Sequence, residues 1–272
     1  MSAHPSRPDT VHIVVPDTQI KPGVPTKHLE WIGRYIGEKF AGRPGVKLIH
    51  LGDHWDMPSL SSYDRKGGKL MEGRRYTKDI EAGNIGWNIL CDAITATAGD
   101  WFPEAHFLVG NHEYRIERAS REDAQLDGLV TLTDLAAFND ARWTAHNFLD
   151  VLWLDGVAYS HYFANRMSGR ALAGQSMDAR IKTVGHSFTM GHQQGLWFGR
   201  RETLNGAQLG LVAGSCYMHE EDYLGPQGNK HWRGIVICYD VRRGDYDAKF
   251  VSLNSLAKRF EGKTLAQWKG RK

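Results

Sequence analysis

The chain is short of cysteine, of long apolar runs and of net charge, and each shortage excludes something. Its three cysteines, Cys91, Cys216 and Cys238, are scattered with no short pairing motif. A disulfide framework is therefore not expected, and they read as small core residues in a reducing compartment. No stretch approaches the ~20 consecutive apolar residues of a membrane helix. The first apolar run, Val11 to Val15, stops at Pro16 and is far too short for a secretory signal. We therefore expect a cytoplasmic protein without a membrane partner. Lys plus Arg exceeds Asp plus Glu by only three, 34 against 31, so bulk charge neither requires nor forbids nucleic acid. There is no internal repeat or low-complexity segment.

What is present is ordinary globular composition over 272 residues, a length that buries roughly three quarters of its unfolded surface in one large domain. We place that domain at 11–257, between a flexible N-terminus, 1–10, and a basic, frayed tail, 258–272. Short β-type runs end in polar residues. Val11–Val15 leads into Pro-Asp-Thr-Gln, Val46–Leu51 into Gly-Asp-His, and His106–Val109 into Gly-Asn-His. Between them lie helical stripes, Leu29, Ile32, Ile36 and Phe40, then Ile80, Trp87, Leu90, Cys91 and Ile94. This βαβαβ alternation predicts a largely parallel sheet covered by helices, with ligands at the carboxyl ends of the strands.

The second half is richer in strands: Val151 to Leu154, Val157 to His161, Phe188 to Met190, Leu209 to Ala213, and a hairpin of Ile235 to Tyr239 with Lys249 to Leu253. The fold class expected is α/β, a four-layer α/β/β/α sandwich of two mixed sheets flanked by helices.

Hydrolysis of a phosphoester needs a strong nucleophile and neutralisation of growing negative charge, and a pair of divalent cations supplies both. The sequence offers, in order, Asp17, Gly52-Asp53, Gly110-Asn111-His112-Glu113, His161 at a strand end and Gly191-His192. This order resembles the pattern of calcineurin-like metallophosphoesterases, with Gly-Asn-His-Glu after an apolar strand as its most specific piece. The run Pro16-Asp17-Thr18-Gln19 with Lys21-Pro22-Gly23 is similar to phage-borne members described as phosphoesterases or DNA-repair exonucleases. The chain would then work in a host cytoplasm.

The resemblance implies that Asp53 bridges two metals, that Asn111, His161 and His192 complete one of them, and that Asp17 with Asp53 holds the other. It implies His112 as general acid, with Glu113 or Asp56 orienting an imidazole. The chain departs from the family at two places. Gln19 and Gln194 stand where the family has histidines on the first metal. Amide oxygens are harder and weaker donors than imidazole, so that site should favour Mn²⁺, with Mg²⁺, Zn²⁺ or Fe as alternatives, one or two ions per chain. Three readings stay open: one tight and one loose metal, a replacement ligand such as His54 or His219, or lost activity.

Single residues also have plainer readings. Asp17 alone could be a turn residue, and His161 alone a core histidine. His186 competes with His192 but lacks the preceding strand. Arg65, Lys66, Lys69, Arg74, Arg75 and Lys78 form a basic stretch that is either a solvated face or a phosphate-binding loop. Arg200, His54, Trp55 and the Trp197-Phe198 pair are further candidates for substrate contact. The Tyr217–Trp232 loop reads as a lid or as a structured surface loop. The leading expectation is a phosphodiesterase acting on nucleic acid. The alternatives are a phosphomonoesterase acting on a nucleotide, phosphoprotein or small phosphate, and a catalytically weak metal-binding scaffold.

Overall fold

A computed structural model describes residues 9–62, 68–174, 176–221 and 224–270. Arg65 and Lys66 of the basic stretch and residues 222–223 of the Tyr217–Trp232 loop lie outside the described residues, as do residues 1–8 of the expected flexible terminus. The first half runs β1 (Val11–Val15), α1 (Lys27–Phe40), β2 (Val46–His50), α2 (Tyr76–Ala98), β3 (Glu104–Leu108), α3 (Tyr114–Glu122), α4 (Ala136–Asn139) and β4 (Trp143–His146). The middle adds β5 (Leu152–Leu154), β6 (Val157–Ser160), α5 (Met177–Val184), β7 (Ser187–Met190), β8 (Leu196–Thr203) and β9 (Gly206–Ala213). Then follow α6 (Gly225–Gly228), β10 (Gly234–Arg242), β11 (Asp245–Ser252), α7 (Leu253–Glu261) and α8 (Leu265–Trp268).

Two mixed sheets result, one in the order β11-β10-β1-β2-β3-β4 and the other β5-β6-β7-β9-β8. Strands β1 to β4 pair in parallel and β10 runs antiparallel to β1. In the second sheet β6, β7 and β9 are parallel, with β5 and β8 antiparallel at its edges. Strand alternation explains the layers. On one face of the first sheet Val14, Ile49, Leu108 and Val236 meet Val157, Tyr159, Leu209 and Leu211 of the second. On its other face Val11, Ile13, Val15, Leu48 and Phe107 pack under Trp31, Ile32 and Ile36 of α1 and Trp87, Leu90 and Ile94 of α2. Helix α5 covers the outer face of the second sheet through Ile181 on Phe188, Met190 and Val212. The expected α/β/β/α sandwich is the fold.

Three expectations are corrected. The tail from Lys258 is not frayed through residue 270: Lys258 lies within α7, and α7 buries Leu253, Leu256 and Ala257. Trp268 packs edge-on at 5.3 Å against Trp31, whose indole N–H reaches Glu261 at 2.8 Å. The structure adds strands β4 and β8, and β8 is an exposed edge strand without a clean apolar alternation that would mark it in the sequence. Trp55 is fully buried, stacked on Trp87 at 5.5 Å, so it is core and not a base-stacking surface. Trp197 and Phe198 do remain exposed, at 48% and 40%. Among the described residues no helix is long and apolar enough to cross a membrane.

Candidate metal centre

All the expected ligand positions follow strands at one end of the sandwich. Asp17 and Gln19 follow β1, Asp53 follows β2, Asn111 and His112 follow β3, His161 follows β6, and His192 follows β7. Loop-to-loop bonds hold these turns together: Gln19 N–H to Asp53 O at 2.8 Å, Gly191 N–H to His161 O at 2.9 Å, and Cys216 N–H to Asp17 O at 2.7 Å. Gln19, Asp53 and His192 are in the left-handed region, with φ of 43°, 51° and 62°. Non-glycine residues held there cost of order 1 kcal/mol each, so the surrounding bonds must over-determine them.

The glycines of the motifs have a steric reason. A Cβ on Gly110 would sit 2.1 Å from Asp53 Oδ1, and one on Gly191 would sit 2.4 Å from Asp17 Oδ1. Only glycine lets these loops approach the carboxylates this closely.

Four side chains converge. The Asn111 amide oxygen lies 2.9 Å from His161 Nε2 and 2.7 Å from His192 Nδ1. Asp53 Oδ2 lies 3.4 Å from His161 Nε2. One donor atom each from Asp53, His161 and His192 fall within 4.8 Å of one another. His161 donates Nδ1–H to Leu51 O at 2.7 Å, which makes Nε2 the ring atom that faces the cluster. Burial and the neighbouring His161 lower the His192 pKa to about 4, so that ring is neutral and able to donate its lone pair. For His161 burial alone would lower the pKa, but Asp53 beside it outweighs this and pushes it up to about 9. Asp53 is held well below the ordinary carboxylate range, because His112 and His161 overcome the opposing effect of burial.

Asp17 and Gln19, the residues expected at the first metal, present buried acceptors. Asp17 Oδ2 and Gln19 Oε1 are buried with no hydrogen-bond donor, a costly state unless a positive charge is present. Burial, then the charge of Asp53, raises Asp17 to about 7. The donor set therefore fits a divalent cation held by Asp17, Gln19 and Asp53 and another by Asp53, Asn111, His161 and His192. Gln194, the other residue expected at the first metal, accepts at Oε1 from the Tyr217 hydroxyl at 2.7 Å.

His112 is 14% exposed, with Nε2 3.7 Å from Asp53 Oδ2. Its Nδ1 meets Asp56 Oδ1 at 2.7 Å. Burial opposes the charged ring, yet Asp53 and Asp56 raise its pKa to about 9. Lys21 continues the chain, pairing with Asp56 at 2.9 Å and Glu221 at 2.7 Å. Of the two candidates for orienting His112, Asp56 takes that role. Glu113 touches no imidazole. Its carboxylate accepts four backbone N–H groups instead, from Asp53 and Gly110 on Oε2 and His54 and Trp55 on Oε1, at 2.6 to 2.9 Å.

His54 is corrected from substrate contact to internal support. It is fully buried, and donates Nε2–H to Gly83 O at 3.0 Å while Nδ1 accepts from Thr18 Oγ1 at 2.7 Å. Thr18 in turn accepts from His50 Nε2 at 3.3 Å, and His50 Nδ1 accepts from Gly52 N–H at 3.2 Å. The chain has one direction and fixes every tautomer. His219, the other proposed replacement ligand, pairs with Glu221 at 2.6 Å. His186 is exposed against Trp153, so His192 is the member of the cluster.

The basic candidates divide. Arg74 donates to Pro58 O at 2.9 Å and is drawn inward. Arg75 is exposed and donates to Arg74 O at 2.8 Å. Arg200 pairs with Asp245 at 2.5 Å and Glu202 at 2.7 Å, near the opposite end of the sheets, which removes it from the site. The Tyr217–Trp232 loop is a clamped surface loop where described: Asn229 brackets Glu221, and Arg233 donates to the carbonyls of Tyr217 and His219. Sequence reasoning missed Lys21, Tyr217 and Arg115. Arg115 carried a signal, three residues after His112 at the start of a helix, where side chains share a face.

No protein-family profile matches the chain. No curated protein matches it either, so the functional reading rests on the converged side chains and on His112 beside them.

Proposed function

We propose that this protein is a metal-dependent phosphoester hydrolase of the calcineurin-like type, acting on a phosphodiester in nucleic acid. The observation that carries the reading is the convergence of Asp53, Asn111, His161 and His192 beside His112, an imidazole backed by Asp56. A divalent ion held there would polarise a phosphoryl oxygen and lower the pKa of water. Asp17 and Gln19 bring further acceptors that lack donors, and their oxygen chemistry favours Mn²⁺ or Mg²⁺.

His112, protonated and held by Asp56, stands ready to give its Nε2 proton to the departing ester oxygen. Glu113 holds the peptides on either side of Asp53. Exposed Lys69, Arg75 and Lys78 leave positive charge on the segment after Asp53, which supports a polyanionic substrate. A phosphomonoesterase is the second reading, favoured by the engagement of Arg74 and Arg200 with protein acceptors.

The test is hydrolysis of bis-p-nitrophenyl phosphate and p-nitrophenyl phosphate by metal-stripped protein titrated with Mn²⁺, Mg²⁺ and Zn²⁺. Mn²⁺-dependent turnover of the diester, lost in Asp53→Ala and His112→Ala, is expected. Preference for the monoester would move the reading to the second. Tight binding of one ion with no turnover of either ester would leave a metal-binding scaffold.

A further inference from the structure

Arg115 is 7% exposed, yet among the described residues it pairs with no carboxylate. Its Nη1 donates to Asp56 O at 2.9 Å and Met57 O at 3.2 Å, and its Nη2 lies 3.3 Å from His112 Nε2. Arginine is charged at any working pH and has donors only. Two carbonyl dipoles do not neutralise it, and the carboxylates of Asp53 and Asp56 are engaged by His112 instead, so a buried guanidinium here is best balanced by a further anion. The two carbonyl bonds fix the fork so that Nη2 is the donor turned toward His112, the ring that itself looks onto Asp53 at 3.7 Å. A rigid, dry, preorganised cation beside a candidate phosphoryl site suits an oxyanion better than an isolated lysine would.

We propose that Arg115 is the anion-binding residue of this centre, donating from Nη2 to a non-bridging oxygen of the substrate phosphoryl group next to His112. The identity of the anion rests on the phosphoesterase reading; the demand for an anion rests on Arg115 itself. Three substitutions separate its properties. Arg115→Lys keeps the charge without the fork, Arg115→Gln keeps donors for the two carbonyls without the charge, and Arg115→Met keeps neither.

The experiment titrates Mn²⁺, then inorganic phosphate, into the full chain by calorimetry, for wild type, Arg115→Lys, Arg115→Gln and Arg115→Met. Mn²⁺ affinity should stay within about twofold, and phosphate affinity should fall about tenfold or more in Arg115→Gln and Arg115→Met, with Arg115→Lys in between. If Arg115→Met does not fold, Arg115→Gln decides. Unchanged phosphate affinity in a folded, Mn²⁺-binding Arg115→Gln would overturn the proposal, as would a Mn²⁺-loaded wild type that binds no phosphate. Parallel ester hydrolysis separates the two claims. Arg115-dependent phosphate binding without turnover sinks the hydrolase reading alone, whereas turnover with Arg115-independent phosphate binding sinks this one alone.

Discussion

Glu113 Oε2 accepts the backbone N–H of Asp53 at 2.9 Å, so one buried carboxylate positions the peptide that carries another. Burial and the charge of Asp53 raise Glu113 to about 7, while the N–H donors it receives favour the ionised form. In Glu113→Gln the amide can offer one oxygen, and its NH₂ must face two backbone donors. Leaving buried donors unpaired costs ~1–3 kcal/mol each. We expect a stability loss of about 3 kcal/mol by urea unfolding and Mn²⁺ affinity weakened at least about tenfold. A variant with wild-type melting and metal binding would show that Glu113 does not hold the Asp53 loop.

The Asp56–His112 pair predicts a dependence on the leaving group. Removing a general acid matters when the departing oxygen is basic and matters little when it is stabilised by itself. Asp56→Asn should slow an alkyl ester on the order of 10²-fold and a dinitrophenyl ester only about two- or threefold. Equal losses on both substrates would argue that Asp56 serves folding instead of proton transfer.

Gln19 and Gln194 are expected to respond differently to histidine. Gln19 has a buried oxygen without a donor and a left-handed backbone that histidine tolerates. Gln19→His should therefore tighten Zn²⁺ by about tenfold or more. Gln194→His should do little alone, because Tyr217 holds that side chain, and should gain effect when combined with Tyr217→Phe. Competition with a chromophoric chelator reads both, and equal gains from the two single variants would contradict the asymmetry.

Acid should destabilise the protein in a window that His12 helps to set. His12 is buried between Tyr159 at 2.7 Å and Asp155 at 3.0 Å, and burial lowers its pKa from 6.5 to about 4. Below pH 6.5 the unfolded chain takes up a proton that the folded chain refuses, so stability is full above that pH and falls as pH drops toward 4. The loss from this group is about 3 kcal/mol at pH 4. His12→Gln should be less stable at pH 7 and lose about that much less between pH 7 and 4. Denaturant midpoints across the range measure it, and parallel curves for the two proteins would exclude His12 as a contributor.

Much of the molecule was legible in its residues, for local reasons. Apolar alternation and spacings of three and four placed β1–β3, α1 and α2, since side-chain periodicity follows directly from backbone geometry. The Gly-Asp, Gly-Asn-His and Gly-His loops announced close approach, because a Cβ at Gly110 or Gly191 has no room. Asp17, Asp53, Asn111, His161 and His192 could thus be picked out in order along the chain.

Which side of each residue faces what was decided only by the tertiary structure. His54 and His50 look like Asp53's neighbours in sequence, yet both rings turn inward to Thr18. Gln194 meets Tyr217, 23 residues away, and Lys21 meets Glu221, 200 residues away. Arg115 lacks a counter-ion among the described residues only because the fold seats it beneath Asp56 and Met57. Chemistry resides in the residue types, which the sequence states. Direction and charge compensation arise from non-local packing of two sheets, and local pattern does not encode them.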